Sequence, residues 1–221
     1  MKKLLLGFVL IFGINAIAFS LEEGWISLGA NWGNYFDRGS ELGSVYIGSP
    51  GINLSSYAFW NQKNIGMFVS CDFFFPVVEN IENNYKPIGQ IDLMVGPGFK
   101  YAINEALKVY AGIGFDINWL SLMDRINEDE KTTDTRKAFG IGGDIGLKYD
   151  LTDLFYINVG TTVTYNFAGY QLVRSTADNW TNTKTETSRW IHNYSLIGIK
   201  PYIAIGFNYY QEKVHWGKPS T

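Results

Sequence analysis

The sequence predicts an all-β fold: an antiparallel, up-and-down transmembrane β-barrel of about eight strands, preceded by a signal peptide. Three observations predict it. The amino terminus reads as an export leader. Beyond the leader, hydrophobicity alternates with period two. The connections between the alternating segments are short and long in turn.

The leader comes first. Met1-Lys2-Lys3 is a basic start, Leu4 to Ile14 is a short apolar run, and Ala16-Ile17-Ala18 and Ala18-Phe19-Ser20 both offer small residues for cleavage. The expected organisation is a signal peptide over 1–20, cleaved after Ala18 or Ser20, a barrel over 21–210, and a polar periplasmic tail over 211–221. The apolar run of the leader is short for a membrane anchor, and no later stretch approaches the about 20 apolar residues of a transmembrane helix. No cysteine follows either cleavage site, which argues against a lipid-anchored product.

Charge and composition exclude several functions. Formal net charge is −3, and loss of Lys2 and Lys3 with the leader takes it to −5, so nucleic acid is not an expected partner. A single cysteine, Cys71, forms no internal disulfide, and two histidines, His192 and His215, leave little for a metal site. The chain has no phosphate loop or dinucleotide fingerprint, so no cofactor is expected.

Eight segments carry the strand period: about 25–36, 44–60, 65–76, 88–101, 107–120, 138–149, 154–168 and 189–210. In the fifth, Leu107, Val109, Ala111, Ile113, Phe115, Ile117 and Trp119 share one face, and Lys108, Tyr110, Gly112, Gly114, Asp116 and Asn118 the other. The third repeats this less cleanly, with Ile65, Met67, Val69, Cys71, Phe73 and Phe75 against Gly66, Phe68, Ser70, Asp72 and Phe74. The second is the weakest, because Ile47-Gly48-Ser49-Pro50-Gly51 interrupts it. Pro97 and Pro201 fall on apolar faces and predict local bulges, since each removes a ladder donor.

Asn61 to Asn64, Ala102 to Ala106 and Asp150 to Asp153 read as tight turns, whereas 37–43, 77–87, 121–137 and 169–188 read as longer loops. Long loops on one side and turns on the other are the plan of outer-membrane barrels, with the long loops extracellular. The expected location is therefore the bacterial outer membrane.

Alternation alone does not say which face points outward; side-chain volume does. An eight-stranded barrel is just wide enough for side chains to fill. The apolar face is too bulky for that lumen, while the other face is read as small and polar, with Gly33, Gly112, Gly146, Gly160 and Gly206 among its members. The bulky face therefore meets lipid. Its ends are aromatic, which predicts two girdles: Trp60, Tyr101, Tyr149, Phe155 and Tyr209 on the turn side, and Trp32, Phe75, Trp119, Tyr165 and Phe167 on the loop side.

The polar face holds charges. Asp72, Asp92, Asp116 and Lys200 fall in the upper lumen, Lys100, Lys108 and Lys148 near the turn end, and Asp144 between the two groups. Parity makes Lys200 the counter-ion of the upper acids. We read this network as a paired plug rather than a path for solutes, because unpaired charge is costly in so narrow a space.

With leader, strands and loop asymmetry together, the chain resembles the small outer-membrane barrels of the OmpA, OmpX and OmpW type, the opacity-like surface proteins and the small barrels of spirochaetes. The resemblance covers about 22–210 and rests on architecture rather than on a motif. One departure is the carboxyl end: Ile203, Ile205, Phe207 and Tyr209 form a fitting last strand, but the polar residues Gln211 to Thr221 follow it. The resemblance implies outer-membrane lipids and the barrel-assembly machinery as partners. It also implies roles in membrane integrity, adhesion or passage of small solutes. Our expectation is a non-enzymatic protein with a structural or adhesive role, its candidate ligand surface being the loops 121–137 and 169–188. The alternative is a narrow channel or lateral path for small or apolar solutes. A lipid A-modifying enzyme is the remote alternative. His192 and Ser195 are three apart, so they point to opposite faces of a strand and do not make a nucleophile–base pair. His192 with Asp178 or another loop acid is the remaining catalytic combination.

Overall fold

A computed structural model describes residues 23–40, 43–60, 64–75, 86–125, 130–177, 182–191 and 194–210. The leader, the tail, most of the 77–87 loop, Asn61 to Lys63, Asp178, His192 and His215 lie outside the described residues.

Alternating sequence becomes strand along the whole described chain. The elements are β1 (Glu23–Ser40), β2 (Gly43–Phe59), β3 (Ile65–Phe74), β4 (Lys86–Ala102), β5 (Leu107–Arg125), β6 (Glu130–Asp150), β7 (Phe155–Ala177), β8 (Asn182–Ile191) and β9 (Ser195–Tyr210). Each of β1 to β7 pairs antiparallel with the next. β9 pairs with β7 on one side and with β1 on the other, and so closes the ring. Closure removes the free edges an open sheet would expose, which is what a membrane-spanning sheet needs. Among the described residues no helix is long and apolar enough to cross a membrane; the chain crosses with strands.

The expected last strand, 189–210, is two pieces. β8 continues β9 along β7, with Gly169 opposite Ile191 and Asn166 opposite Leu196. β7 advances from 166 to 169 while the returning strand goes from 196 to 191, so extra residues are accommodated at the break. The ring thus contains eight strands, the eighth being β9 with β8 above it.

Four sequence expectations need correction. The stretch 121–137 is largely strand, because β5 runs to Arg125 and β6 begins at Glu130. The stretch 169–188 is likewise the top of β7 and most of β8. Of 37–43, only 41 and 42 lie between strands. These polar, Thr-rich segments keep strand pairing because each has a partner segment of equal length; the hydrophobic signal stops where lipid stops, and the hydrogen-bond ladder does not. Fourth, β2 runs unbroken through Pro50.

The prolines also behave differently from expectation. Direct pairs between β4 and β5 are missing at Gly96 and Pro97, yet Val95 opposite Phe115 and Gly98 opposite Gly112 keep one register. β1 and β9 likewise skip the positions facing Lys200 and Pro201, with Asn31 opposite Tyr202 and Asn34 opposite Ile199 in one register. Each proline deletes a donor toward one neighbour only and inserts no residue. In the β6–β7 ladder, a register shift falls at Phe167, where Gly140 faces Asn166 and Phe139 faces Ala168. That extra residue reverses the facing of β7 above it.

Two short turns carry their own chemistry. Asn104 Oδ1 accepts from the amides of Ala106 and Leu107 at 3.0 and 2.7 Å, and Thr152 Oγ1 accepts from Phe155 N at 2.9 Å. Such side chains substitute for backbone acceptors in tight turns. Opposite them the strands are unequal: β3 has 10 residues, while β5, β6 and β7 have 19, 21 and 23. A transmembrane β-strand needs about 9–11 residues. The tops of β5, β6, β7 and β8 therefore stand above the membrane as a raised wall on one side of the mouth.

Candidate functional site

The lumen is built in tiers from the turn end upward. In the lowest, Lys100 pairs with Glu23, and Asp150 takes both Lys148 and, at 2.9 Å, Lys108. Glu23 and Asp150 were missed by the sequence reading because both sit at the ends of strands, where parity is least legible. The Lys148 ammonium also lies 5.0 Å from the Trp25 ring centroid and 4.5 Å from that of Tyr156.

Above these ions is an aromatic tier of Trp25, Tyr57, Phe59, Phe68, Tyr110, Tyr156 and Tyr202, with Met94. The expected small, polar lumen face is therefore corrected: it is small only where glycines alternate with rings. A Cβ on Gly112 would meet the Phe68 ring at 2.5 Å, and one on Gly146 would meet the Tyr110 hydroxyl at 2.4 Å. These two glycines are sockets for rings from other strands, whereas a Cβ on Gly96, Gly114 or Gly140 would meet the neighbouring backbone. Within this tier Asp144 accepts hydrogen bonds from Tyr57, from Tyr202 at 2.9 Å and from Thr162 at 3.1 Å. Asp144 is thus satisfied by hydroxyls rather than by the lysines below it. Tyr110 and Tyr202 share a 2.7 Å bond, and Asn158 donates to Tyr110 at 2.9 Å.

The third tier is the acid cluster. Lys200 Nζ is 2.9 Å from Asp72 Oδ2 and 2.9 Å from Asp92 Oδ1, all three residues being buried. Asp72 and Asp92 face each other across β3 and β4, and Asp116 lies opposite Met94 one step along. Amides complete the shell: Asn31 and Asn53 donate to Asp72 at 2.6 and 2.7 Å, Asn118 to Asp92 at 3.0 Å, and Asn166 to Asp116 at 2.6 Å. The Tyr35 hydroxyl donates to Asp92 at 3.0 Å. Sequence parity brings the four charged residues to one height; the amide donors carry no signal of their own among many surface-like Asn.

Over this tier close Tyr35, Phe74, Leu120, Ala138, Tyr194 and Leu196. Higher still, inside the wall, Arg136 pairs with Asp134 at 3.2 Å, Gln171 donates to Asp134 at 2.9 Å, and Arg189 donates to Gln171 at 3.1 Å. Arg136 and Asp134 are buried, so the wall has a packed inner face rather than loop-like side chains.

The outer face is the inverse. Ile113 is 64% exposed and Phe115 75%, whereas their lumen-facing neighbours are buried. Of the expected girdle residues, Trp60, Tyr101, Tyr149 and Phe155 are exposed on the turn side, and Trp32, Phe75, Tyr165 and Phe167 on the loop side. Tyr209 and Trp119 are half-buried. Phe155 packs on Phe207 at 5.0 Å, and Tyr165 on Phe167 at 6.3 Å. A cleft of about 440 Å³ opens on this face between Val109, Ile145, Leu147 and Val159, over a floor of Gly146 and Gly160. Ser195 is half-buried at the top of β9. Among the described residues no group of three His, Cys, Asp or Glu side chains is arranged to hold a metal ion.

A closed ring of eight strands, apolar outward and filled within, defines an integral β-barrel of the bacterial outer membrane. The chain belongs to the family described as the outer membrane protein beta-barrel domain, matched over residues 4–194. Among solved structures, OprG from Pseudomonas aeruginosa is similar at 11% identity and TM-score 0.55, over 86% of this chain and 97% of that one. A major outer membrane protein from Thermus thermophilus is similar at 12% identity and TM-score 0.54, over 84% and 99%. Ail, the attachment invasion locus protein of Yersinia pestis, is similar at 16% identity and TM-score 0.50, over 86% and 99%. At these identities the likeness is one of fold. No curated protein sequence matches the chain.

Proposed function

We propose that this protein is a non-conducting, non-enzymatic surface barrel whose work is binding, carried by the raised wall of β5 to β8. The observation that carries the reading is the filled lumen: ion pairs, seven aromatic rings and an acid–lysine tier are stacked across it. A barrel so plugged serves as a rigid platform. The wall is the part that extends beyond what membrane crossing needs, and elements positioned on a rigid scaffold are where binding surfaces concentrate. The name of Ail, and its structure with the heparin analogue sucrose octasulfate, support an adhesive role by analogy.

The test has two arms. The refolded protein in a planar bilayer is expected to give no steady single-channel current; a steady current overturns the plug. Cells displaying the protein are compared with cells displaying a form shortened to short turns above Ser121, Thr135, Gly169 and Ile191. Adhesion to immobilised glycans and matrix proteins is expected only with the full wall, and equal adhesion by both overturns the binding role.

A second reading, a lateral path for apolar solutes, is favoured by the cleft over Gly146 and Gly160. Tyr202 lies directly behind that floor and closes it toward the lumen. Uptake of an apolar solute by cells that rises with Tyr202→Ala would favour this path.

A further inference from the structure

One register row on the outer face stands apart. Trp119 on β5 is opposite Lys137 on β6, Lys137 is opposite Tyr170 on β7, and Tyr170 is opposite Trp190 on β8. Four neighbouring strands thus present aromatic, cation, aromatic, aromatic at one height. The Lys137 ammonium lies 4.7 Å from the Trp119 ring centroid. The rings of Tyr170 and Trp190 meet edge to face at 5.5 Å, and Trp190 is 60% exposed.

The height of the row is set by the chain. On β6 the outward positions from Tyr149 to Phe139 carry no charge, and the span between them is eleven residues. That matches the about 9–11 residues a strand uses to cross the hydrocarbon. Lys137 is the next outward position, on the wall side, so it stands where the acyl region gives way to headgroups of the outer leaflet.

Lys137 also differs from the other lysines whose side chains are described. Lys100, Lys108, Lys148 and Lys200 each pair with a carboxylate. Arg136 and Arg174 do so as well. Lys137 makes no ion pair among the described residues; its ammonium lies against a ring.

We propose that this row is a docking site for a phosphate-bearing lipid of the outer leaflet. Lys137 donates to the headgroup phosphate, Tyr170 and Trp190 flank the headgroup with their amphipathic rings, and the acyl chains lie on Phe139 and Ile141 below. Charge complementarity selects the occupant: an uncompensated cation directly above an apolar band matches an anion directly above acyl chains. A zwitterionic lipid offers no net charge to it, and a soluble anion leaves the apolar band unused.

The test uses the refolded full chain in phosphatidylcholine nanodiscs doped with lipid A or with dephosphorylated lipid A. Lipid retained per barrel is read by native mass spectrometry. Wild type is expected to retain the phosphorylated form preferentially. Lys137→Gln is expected to bind it about tenfold more weakly, the loss of one charge-assisted hydrogen bond. Lys137→Arg should retain it, and Lys131→Gln, the same charge change elsewhere on β6, should leave it unaltered. Equal retention of both lipids by wild type overturns the proposal without any variant. Equal loss in Lys131→Gln and Lys137→Gln also overturns it, because the attraction would then be diffuse charge rather than this row.

Discussion

Replacing Lys200 by methionine removes a positive charge and keeps the length of the side chain. The ammonium is 2.9 Å from Asp72 and 2.9 Å from Asp92, with Asp116 close by in the same tier. At an effective dielectric of about 20, each contact corresponds to roughly 6 kcal/mol of Coulomb attraction. Much of that only offsets the desolvation of three buried ions, so the net loss on breaking the cluster is about 3–5 kcal/mol. Expressed as an equilibrium constant for unfolding, this is more than about a hundredfold. The assay is urea unfolding in lipid vesicles, followed by tryptophan emission and by the gel shift of the folded barrel. A cycle apportions the effect: Lys200→Met with Asp72→Asn should recover part of the loss, since it removes one acid left without a cation. If Lys200→Met stays within about 1 kcal/mol of wild type and the double variant gains nothing, the exposed-pair range applies and the tier is wet and screened. The plug reasoning would then fail, and passage of small solutes through the lumen would be the better account.

Three other outcomes are expected. Ile113→Arg, mid-strand on the lipid face and 64% exposed, should cost about 2–4 kcal/mol of folding in bilayers, and folding as efficient as wild type would invert the assigned faces. Gly112→Val forces a side chain into the Phe68 ring and should cost about 1–3 kcal/mol, with Phe68→Ala restoring part of it in the double variant. An epitope inserted between residues 127 and 128, above the β5–β6 hairpin, should be labelled on intact cells, whereas one inserted after Asn104 should not, and the reverse pattern would turn the barrel over.

Much of the architecture was legible because lipid imposes a strict rule. Ile113, Phe115 and Ile117 alternate without exception, and so fix both strand and face. The rule weakens where lipid ends. Thr132 to Arg136 and Leu172 to Ser175 look like loop, yet they hold strand pairing through a ladder that hydrophobicity does not report. Inside the barrel, parity placed Lys200 beside Asp72, Asp92 and Asp116, since all face inward at similar counts from the turns. The partners Glu23 and Asp150 escaped it. Parity did put Tyr110 on the inward face, but Gly112 and Gly114 beside it dominate the apparent size of that face, so the bulk of the ring tier was not read. Gly146, Gly160 and Gly206 receive Tyr110, Tyr202 and Tyr156 from the directly paired position of the neighbouring strand, so register decides those contacts, whereas Gly112 takes the Phe68 ring from two strands away.

The acid tier has a consequence for how the ring is made. Asp72, Asp92 and Asp116 come from β3, β4 and β5, but their ammonium comes from β9, which follows β1 to β8 in the chain and closes the ring. A sheet that has zipped from β1 to β7 therefore carries three like charges on its concave side, with no cation among the described inward residues of that tier to balance them. Such a sheet is held open by its own repulsion and by the water those carboxylates retain. Arrival of β9 supplies the hydrogen bonds to both β1 and β7 and, in the same movement, the missing cation. Seam closure and charge neutralisation are one event, so an incomplete barrel has no stable, dry interior in which to linger.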